Sequence, residues 1–191
     1  GIRDVAVTGV QTCALPIFII IPQSNDRADD AYIERHKETI LGSDILLIQN
    51  ELPKPGNVAA AKLAKANGVK VILTPAPVGP MDEFIGLCDL VVPNEGEAEA
   101  ITGVSSANPE EQAKALSKKF GCKDVVITLG PKGAYVTDGS RSEFISAPKV
   151  EALDTIAAGD TLCANLAAKL RSEEHTSELQ SRLHLVCRLL L

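Results

Sequence analysis

The sequence predicts an α/β protein with a mostly parallel sheet that carries helices on both faces. Short apolar runs of strand length recur along the chain, for example at 44–48 (DILLI). These runs are apolar throughout instead of at every second position, as in strands that are buried on both faces. They alternate with segments of helical character, and strands that alternate with helices form a parallel sheet. Such sheets bind ligands beyond the carboxyl ends of their strands.

The elements follow in order without an internal repeat. Helices are predicted at 31–41, 58–66, 95–101, 109–120 and 160–170. Gly68, Gly103 and Gly121 follow three of these helices as stop signals, and Asn108-Pro109 starts the fourth helix with a cap residue and a first-turn proline. Strands are predicted at 18–21, 44–48, 69–73, 90–92, 124–129, 133–137 and 143–146.

The amino-acid composition argues against a nucleic-acid-binding protein and against a membrane protein. The chain has 191 residues, is 45% hydrophobic and 23% charged, and carries a formal net charge of -6, as expected of a globular protein without a nucleic-acid partner. We find no apolar run of the roughly 18 residues that span a bilayer, and no signal-peptide pattern. Five scattered Cys residues without a CxxC pair are typical of a reducing compartment, so we expect a cytoplasmic protein without a membrane partner.

Both ends of the chain look foreign to the rest. Residues 171–181 (RSEEHTSELQS) match the translation of a common sequencing adapter, and residues 7–17 (VTGVQTCALPI) match the translation of its reverse complement. We therefore interpret 1–17 and 171–191 as adapter-derived and exclude them from fold prediction. Residues 18–170 are then a partial domain, truncated at both ends, of a longer natural protein.

The most informative motif is the stretch at 154–160 (DTIAAGD). Small residues let a backbone approach a phosphate closely, and the free N–H groups of a helix start attract anions. Asp160 would open the helix beside such a phosphoryl group and could accept a proton from a hydroxyl. Phosphoryl transfer needs little beyond positioning, charge neutralisation and an oriented nucleophile. An equally good interpretation of the motif alone is that Asp160 caps its helix.

This motif resembles DTxGAGD, the signature of the ribokinase (PfkB) family of sugar kinases. The resemblance implies a ribokinase-like three-layer sandwich in which Asp160 is the catalytic base and contacts the sugar hydroxyl. The backbone of Ala157, Ala158 and Gly159 would form the anion hole for the transferred phosphoryl group. Asp154 and the carbonyl of Ile156 match part of the family's monovalent-cation site.

Three further stretches resemble family motifs in the same order. Residues 94–97 (NEGE) match N-x-x-E, which implies that Asn94 lies near the ATP phosphates and that Glu97 organises Mg²⁺ through water. Residues 128–133 match T-L-G-x-x-G, which contacts ATP in the family. Glu51 matches an acid near the sugar. Each stretch also has an explanation that involves no ligand: a helix cap at 94–97, a hairpin turn at 128–133 and a surface-loop charge at Glu51. The implied ATP-binding residues of the second motif are Thr128, Leu129, Gly130, Pro131, Lys132 and Gly133.

The resemblance implies transfer of the ATP γ-phosphate to the primary hydroxyl of a pentose, with ribose giving ribose 5-phosphate. It also implies ATP, Mg²⁺ and K⁺ as cofactors and a homodimeric parent protein. Two alternatives stay open: another acceptor such as a fructose phosphate or a nucleoside, and a non-catalytic nucleotide-binding remnant. The family's Gly-Gly sugar motif and lid precede the credible segment, and its adenine loop follows it. We therefore expect the 191-residue chain by itself to be inactive.

Overall fold

The structure is a computed structural model that describes residues 24–149 and 157–173. Its strands form one six-stranded sheet in the order β1-β2-β3-β4-β5-β6, with β1 to β4 parallel and β5 and β6 antiparallel. This confirms the predicted mostly parallel sheet; the predicted strand at 18–21 lies outside the described residues. The strands are β1 (Ile45–Gln49), β2 (Lys70–Thr74), β3 (Leu90–Val91), β4 (Asp124–Thr128), β5 (Gly133–Thr137) and β6 (Ser142–Ser146).

Six α-helices and three 3₁₀ turns connect these strands within the described residues. The 3₁₀ turns are Asn25–Arg27, Asp82–Phe84 and Gly130–Lys132. The helices are α1 (Asp30–Arg35), α2 (Lys37–Leu41), α3 (Lys54–Ala66), α4 (Glu95–Thr102), α5 (Pro109–Phe120) and α6 (Ala158–Glu173).

Three helices differ clearly from the prediction. Helix α6 begins two residues before and ends three residues after the predicted 160–170. The helix expected at 31–41 is divided at His36, whose backbone (φ -112°, ψ 15°) leaves the helical region. Helix α3 begins four residues earlier than the predicted 58–66, at Lys54. Pro55 lies in its first turn, where the missing N–H of proline costs no helical hydrogen bond. The Pro55-Gly56 pair therefore belongs to the helix, although the same pair usually indicates a turn.

The inner strands β2 to β5 are buried on both faces, as continuously apolar strands predict. The edge strands β1 and β6 are partly exposed, so the prediction is wrong for the apolar run at 44–48, where Leu47 is 44% exposed. On one face, Val71 and Leu73 belong to the core that includes Ala60 and Ala64 of α3. On the other face, Ile72 belongs to a core with Cys163 and Leu166 of α6. Consecutive residues of a strand point to opposite faces, so β2 contributes to both cores. This is the three-layer arrangement that the resemblance implies.

The topology gathers several loops at one edge of the sheet. Parallel strands β1 to β4 all end at this edge, β5 begins there, and β6 returns to it. The loops after these strands and the start of α6 therefore meet at the carboxyl edge, where open α/β sheets bind ligands. Within the described ranges, no helix has the length and apolarity needed to cross a bilayer.

Candidate active site

Asp160 lies in the first turn of α6, exposed at the carboxyl edge of the sheet. Its Oδ1 accepts a hydrogen bond from Nε2 of Gln49, the last residue of β1, at 2.6 Å. Three residues further along α6, the Cys163 Sγ lies 3.3 Å from Oγ1 of Thr74, the last residue of β2. The first turns of α6 thus lie across the ends of β1 and β2, and Asp160 faces the ligand edge.

The turn before Asp160 carries backbone N–H groups that have no acceptor within α6 itself. Ala157 has a positive φ of 59°, and its carbonyl accepts the first helical bond from Thr161 N at 2.9 Å. The N–H groups of Ala158, Gly159 and Asp160 precede that bond, so the helix itself offers them no acceptor. Among the described residues, no heavy atom lies within 4 Å of a Cβ placed on Gly159. The left-handed alanine of this turn is the kind of strain that concentrates at functional sites.

Asn94 and Glu97 form a reciprocal helix cap at the start of α4. The Asn94 Oδ1 accepts from Glu97 N at 2.8 Å, and the Glu97 Oε2 accepts from Asn94 N at 2.9 Å. This is the helix-cap alternative of the sequence analysis, and it is compatible with the implied catalytic roles, which stay predictions. Burial raises the pKa of the half-buried Glu97 carboxyl, and the bond from the Asn94 N–H opposes that rise.

The structure brings the two predicted ATP-binding stretches together. Asn94, beyond the end of β3, forms a parallel bridge with Thr128, the last residue of β4, and Thr128 N donates to the carbonyl of Pro93 at 2.9 Å. Lys132 is exposed, with its Nζ 3.7 Å from Oε2 of Glu95. The side chain of Leu129 points into the core and is 4% exposed. Ligand contacts from this stretch are therefore left to its backbone, to the partly buried Thr128 and to the exposed Gly130, Pro131 and Lys132.

Gly133, the last residue of the second stretch, has a packing role. Its φ is +120°, and a Cβ there would lie 1.8 Å from the carbonyl oxygen of Ile145 and 2.7 Å from Ala147 N. The close approach of β6 therefore requires glycine at this position, whether or not a nucleotide binds. At Gly130 a Cβ would have no heavy atom within 4 Å.

Glu51 is exposed in the turn that follows β1, two residues after Gln49. The loops after β1 and β2 are joined here, because Asn50 donates from its N to the carbonyl of Ala76 at 2.8 Å and from its Nδ2 to the carbonyl of Pro77 at 2.9 Å. Glu51 thus lies on the same edge as Asp160, and its sugar contact stays a prediction. Asp154 and Ile156, predicted for the cation site, lie outside the described residues.

Comparison with known proteins identifies the family. The family model described as pfkB family carbohydrate kinase matches residues 17–181. The chain belongs to the pfkB family of carbohydrate kinases. The match extends past residue 170 into the segment that we interpret as adapter-derived, so the boundaries proposed for the two ends stay predictions.

Several relatives of this chain are ribokinases. The chain is 39% identical over 164 residues to ribokinase from Haemophilus influenzae, an alignment that covers 84% of this chain and 54% of that protein. A crystal structure of ribokinase from Thermotoga maritima superposes with a TM-score of 0.75 at 31% identity, covering 90% of this chain and 55% of that one. Ribokinase from Arabidopsis thaliana, complexed with ribose and ATP, gives a TM-score of 0.67 at 31% identity, with coverage of 81% and 50%. The chain spans about half the length of these relatives.

The Mg²⁺ implied by the pfkB resemblance can be tested against the residues present. Among the described residues, no group of three His, Cys, Asp or Glu side chains could hold a metal ion. The role implied for Glu97 is weaker than direct ligation, because it acts through water. Its capping bond uses Oε2, and Oε1 is the oxygen that would accept from a metal-bound water. The donor chemistry at Glu97 therefore fits a hydrated Mg²⁺ at this edge.

Replacing Glu97 with Gln is expected to stabilise the fold and to weaken activity. Glutamine keeps the capping bond and removes the cost of burying a charge. Because the folded-state pKa of Glu97 is raised, its contribution to stability is full below the unfolded value of 4.5 and is lost as pH rises through the folded pKa. The Gln variant should therefore melt higher than the wild type at pH 7, with the gap closing towards pH 4.5. In the full-length protein we expect activity to fall about 10–100-fold.

Thermal melts between pH 4 and 8 measure the stability effect. Asn94→Ala is the matched control, because it breaks the same cap and should cost about 1 kcal/mol at every pH. A Glu97→Gln variant that melts lower than the wild type at pH 7 would contradict the burial argument.

Gln49 and Asn57 are the site residues that sequence reasoning missed. Gln49 ends an apolar strand, and a polar residue at the carboxyl end of a parallel strand is itself a signal for the ligand edge. Its partner could not be deduced, because 111 residues separate Gln49 from Asp160. Asn57 is buried in α3, and its Nδ2 donates to the carbonyl of Gln49 at 2.6 Å.

Proposed function

We propose that the full-length protein that contains this chain is an ATP-dependent kinase of ribose. It would transfer the γ-phosphate to the primary hydroxyl and give ribose 5-phosphate. The observation that carries the proposal is the exposed carboxylate of Asp160 beside the backbone N–H groups of 158–160, which have no acceptor within α6, at the ligand edge of the sheet. The ribokinase relatives support ribose as the acceptor, and the one bound to ribose and ATP supports ATP as the donor.

In the proposed reaction, Asp160 acts as the general base. A carboxylate oxygen of Asp160 accepts the proton of the primary hydroxyl, and the sugar oxygen attacks the γ-phosphorus. The bond between that phosphorus and the β-γ bridging oxygen breaks, and ADP leaves with the bond electrons. The N–H groups of the turn would stabilise the negative charge of the transferred group.

Other groups at the edge have supporting roles in the proposal. Mg²⁺, when bound, would supply charge neutralisation at the phosphates, and Glu97 would hold its water. Asn94 and the 128–133 stretch would face the nucleotide, and Glu51 would face the sugar. Burial raises the pKa of the Cys163 thiol, so this nearby residue stays protonated and does not compete as a nucleophile.

A substrate panel tests the acceptor. Full-length protein, expressed from a reading frame resequenced across both ends of this chain, is assayed with ATP and ribose, a fructose phosphate or a nucleoside. We expect the highest kcat/KM for ribose and a product phosphorylated at the primary hydroxyl. A higher kcat/KM for the nucleoside or the fructose phosphate would replace ribose as the acceptor. The 191-residue chain by itself should give no turnover in the same assay.

Replacing Gly159 with Ala should separate stability from catalysis. The added methyl group meets open space within the described protein, and alanine in a helix is favoured over glycine by roughly 0.5–1 kcal/mol. The variant should therefore fold at least as stably as the wild type. If an anion binds in this turn, the methyl group displaces it, and kcat/KM should fall by up to about 10²-fold. Unchanged kinetics in a stable variant would show that the phosphoryl group lies elsewhere.

A further inference from the structure

We infer that Gln49 is a positioning residue for Asp160, an inference that rests on the proposed kinase function. The Gln49 amide donates to Oδ1 of Asp160 at 2.6 Å. Asp160 is exposed, and a carboxylate on an exposed helix start is otherwise free to rotate. The amide holds one oxygen of the carboxylate, so the other oxygen is presented to the acceptor hydroxyl.

The end of β1 that carries Gln49 is itself fixed. In the sheet, Gln49 of β1 pairs in register with Thr74 of the neighbouring strand β2. Its carbonyl accepts from Nδ2 of Asn57 at 2.6 Å, and Asn57 is only 4% exposed. A rigid strand end therefore supports the Gln49 side chain, as positioning groups require if a catalytic geometry is to be kept.

The chemistry of an amide suits this role. A glutamine Nε2 donates hydrogen bonds and carries no charge, so it orients the carboxylate without acting as a base and without repelling it. A glutamate at the same place would set two carboxylates against each other, and like charges at that distance cannot both ionise readily. The turnover rate should therefore depend on the charge and the hydrogen-bond donor of residue 49 as well as on its size.

Three variants of the full-length protein test this inference. Gln49→Met keeps the length of the side chain and removes the donor; Gln49→Glu keeps the shape and adds a charge. Thr74→Val is the matched control, because it removes the neighbouring polar contact between a strand end and α6 without touching Asp160. Kinetics are measured with whichever acceptor the substrate panel identifies, and folding is followed by thermal melting.

We expect kcat to fall about 10-fold in Gln49→Met, because loss of orientation is costly even for small displacements. Gln49→Glu should fall further, while the KM for ATP stays within about twofold of the wild type in both. Thr74→Val should keep its kcat within about twofold. A residue that only attaches α6 to the sheet would not be expected to lower kcat while leaving the KM for ATP nearly constant. Nor would it be expected to lower kcat more as Glu than as Met.

A second readout does not depend on turnover. The side-chain amide resonance of Gln49 in NMR spectra should shift when Asp160 is replaced by Ala, and stay in place in Thr74→Val. If the wild type is active, two results would overturn the positioning role alone. One is a wild-type kcat in Gln49→Met, and the other is an equal loss of kcat in Gln49→Met and Thr74→Val. A wild type that phosphorylates no acceptor would overturn the proposed kinase function, and the positioning role with it.

Discussion

Replacing Asp160 with Asn in the full-length protein is expected to lower kcat by about 10²–10⁴-fold, the usual contribution of a general base. Asparagine has the same shape, and its Oδ1 can still accept the hydrogen bond that Gln49 donates to Asp160. The start of α6 should therefore be unchanged, and only the proton acceptor is lost. Steady-state kinetics measure the loss, and calorimetric titration with ATP should give a nearly unchanged affinity.

A matched control for this variant is Asp30→Asn. Asp30 is also an exposed first-turn aspartate, in α1, and its Oδ1 accepts from Ala31 N at 3.0 Å. Its replacement should leave kcat at the wild-type value. Asp160 is the third residue of α6 and does not take the N-cap position that the alternative interpretation of the motif gave it. Full activity in Asp160→Asn would leave it the role of a first-turn acid that favours the helix start, and the base of the reaction would have to be sought elsewhere on the ligand edge.

Replacing Gly133 with Ala is expected to destabilise the fold by about 2–6 kcal/mol, a large part of the 5–15 kcal/mol of a typical domain. Two effects combine: the backbone φ of +120° is unfavourable for a side chain, and the Cβ would lie 1.8 Å from the carbonyl oxygen of Ile145. Backbone atoms cannot rotate away as a side chain can, so β6 would have to move from β5. Urea unfolding followed by circular dichroism measures the change.

Gly130→Ala separates the two effects. Gly130 also has a positive φ, of +56°, but a Cβ there would meet no heavy atom within 4 Å. Its replacement should cost only about 1–2 kcal/mol. Equal losses in the two variants would show that backbone conformation alone limits position 133. A stably folded Gly133→Ala protein that no longer binds ATP would assign the glycine to the nucleotide site instead.

The elements that the sequence predicts well are those with a strong local signal. The apolar run at 71–73, for example, belongs to strand β2, and all three of its residues are buried. The cap signals at Asn94 and Asn108 are also local, and both side chains accept the predicted kind of backbone bond. The predicted start of α3 at 58 is four residues late, since the helix includes Pro55-Gly56 although such a pair usually indicates a turn.

The sequence by itself determined the alternating α/β order, the ligand edge and the motif ending in Asp160, because each depends on residues that are close together in the chain. Only the tertiary structure decided which groups meet that motif. Gln49 reaches Asp160 because α6 packs across the ends of β1 and β2, and nothing local to either residue encodes that crossing. Gly133 faces Ile145 because two antiparallel strands approach closely. Contacts of this kind arise from packing between elements distant in sequence, and packing is a property of the whole fold.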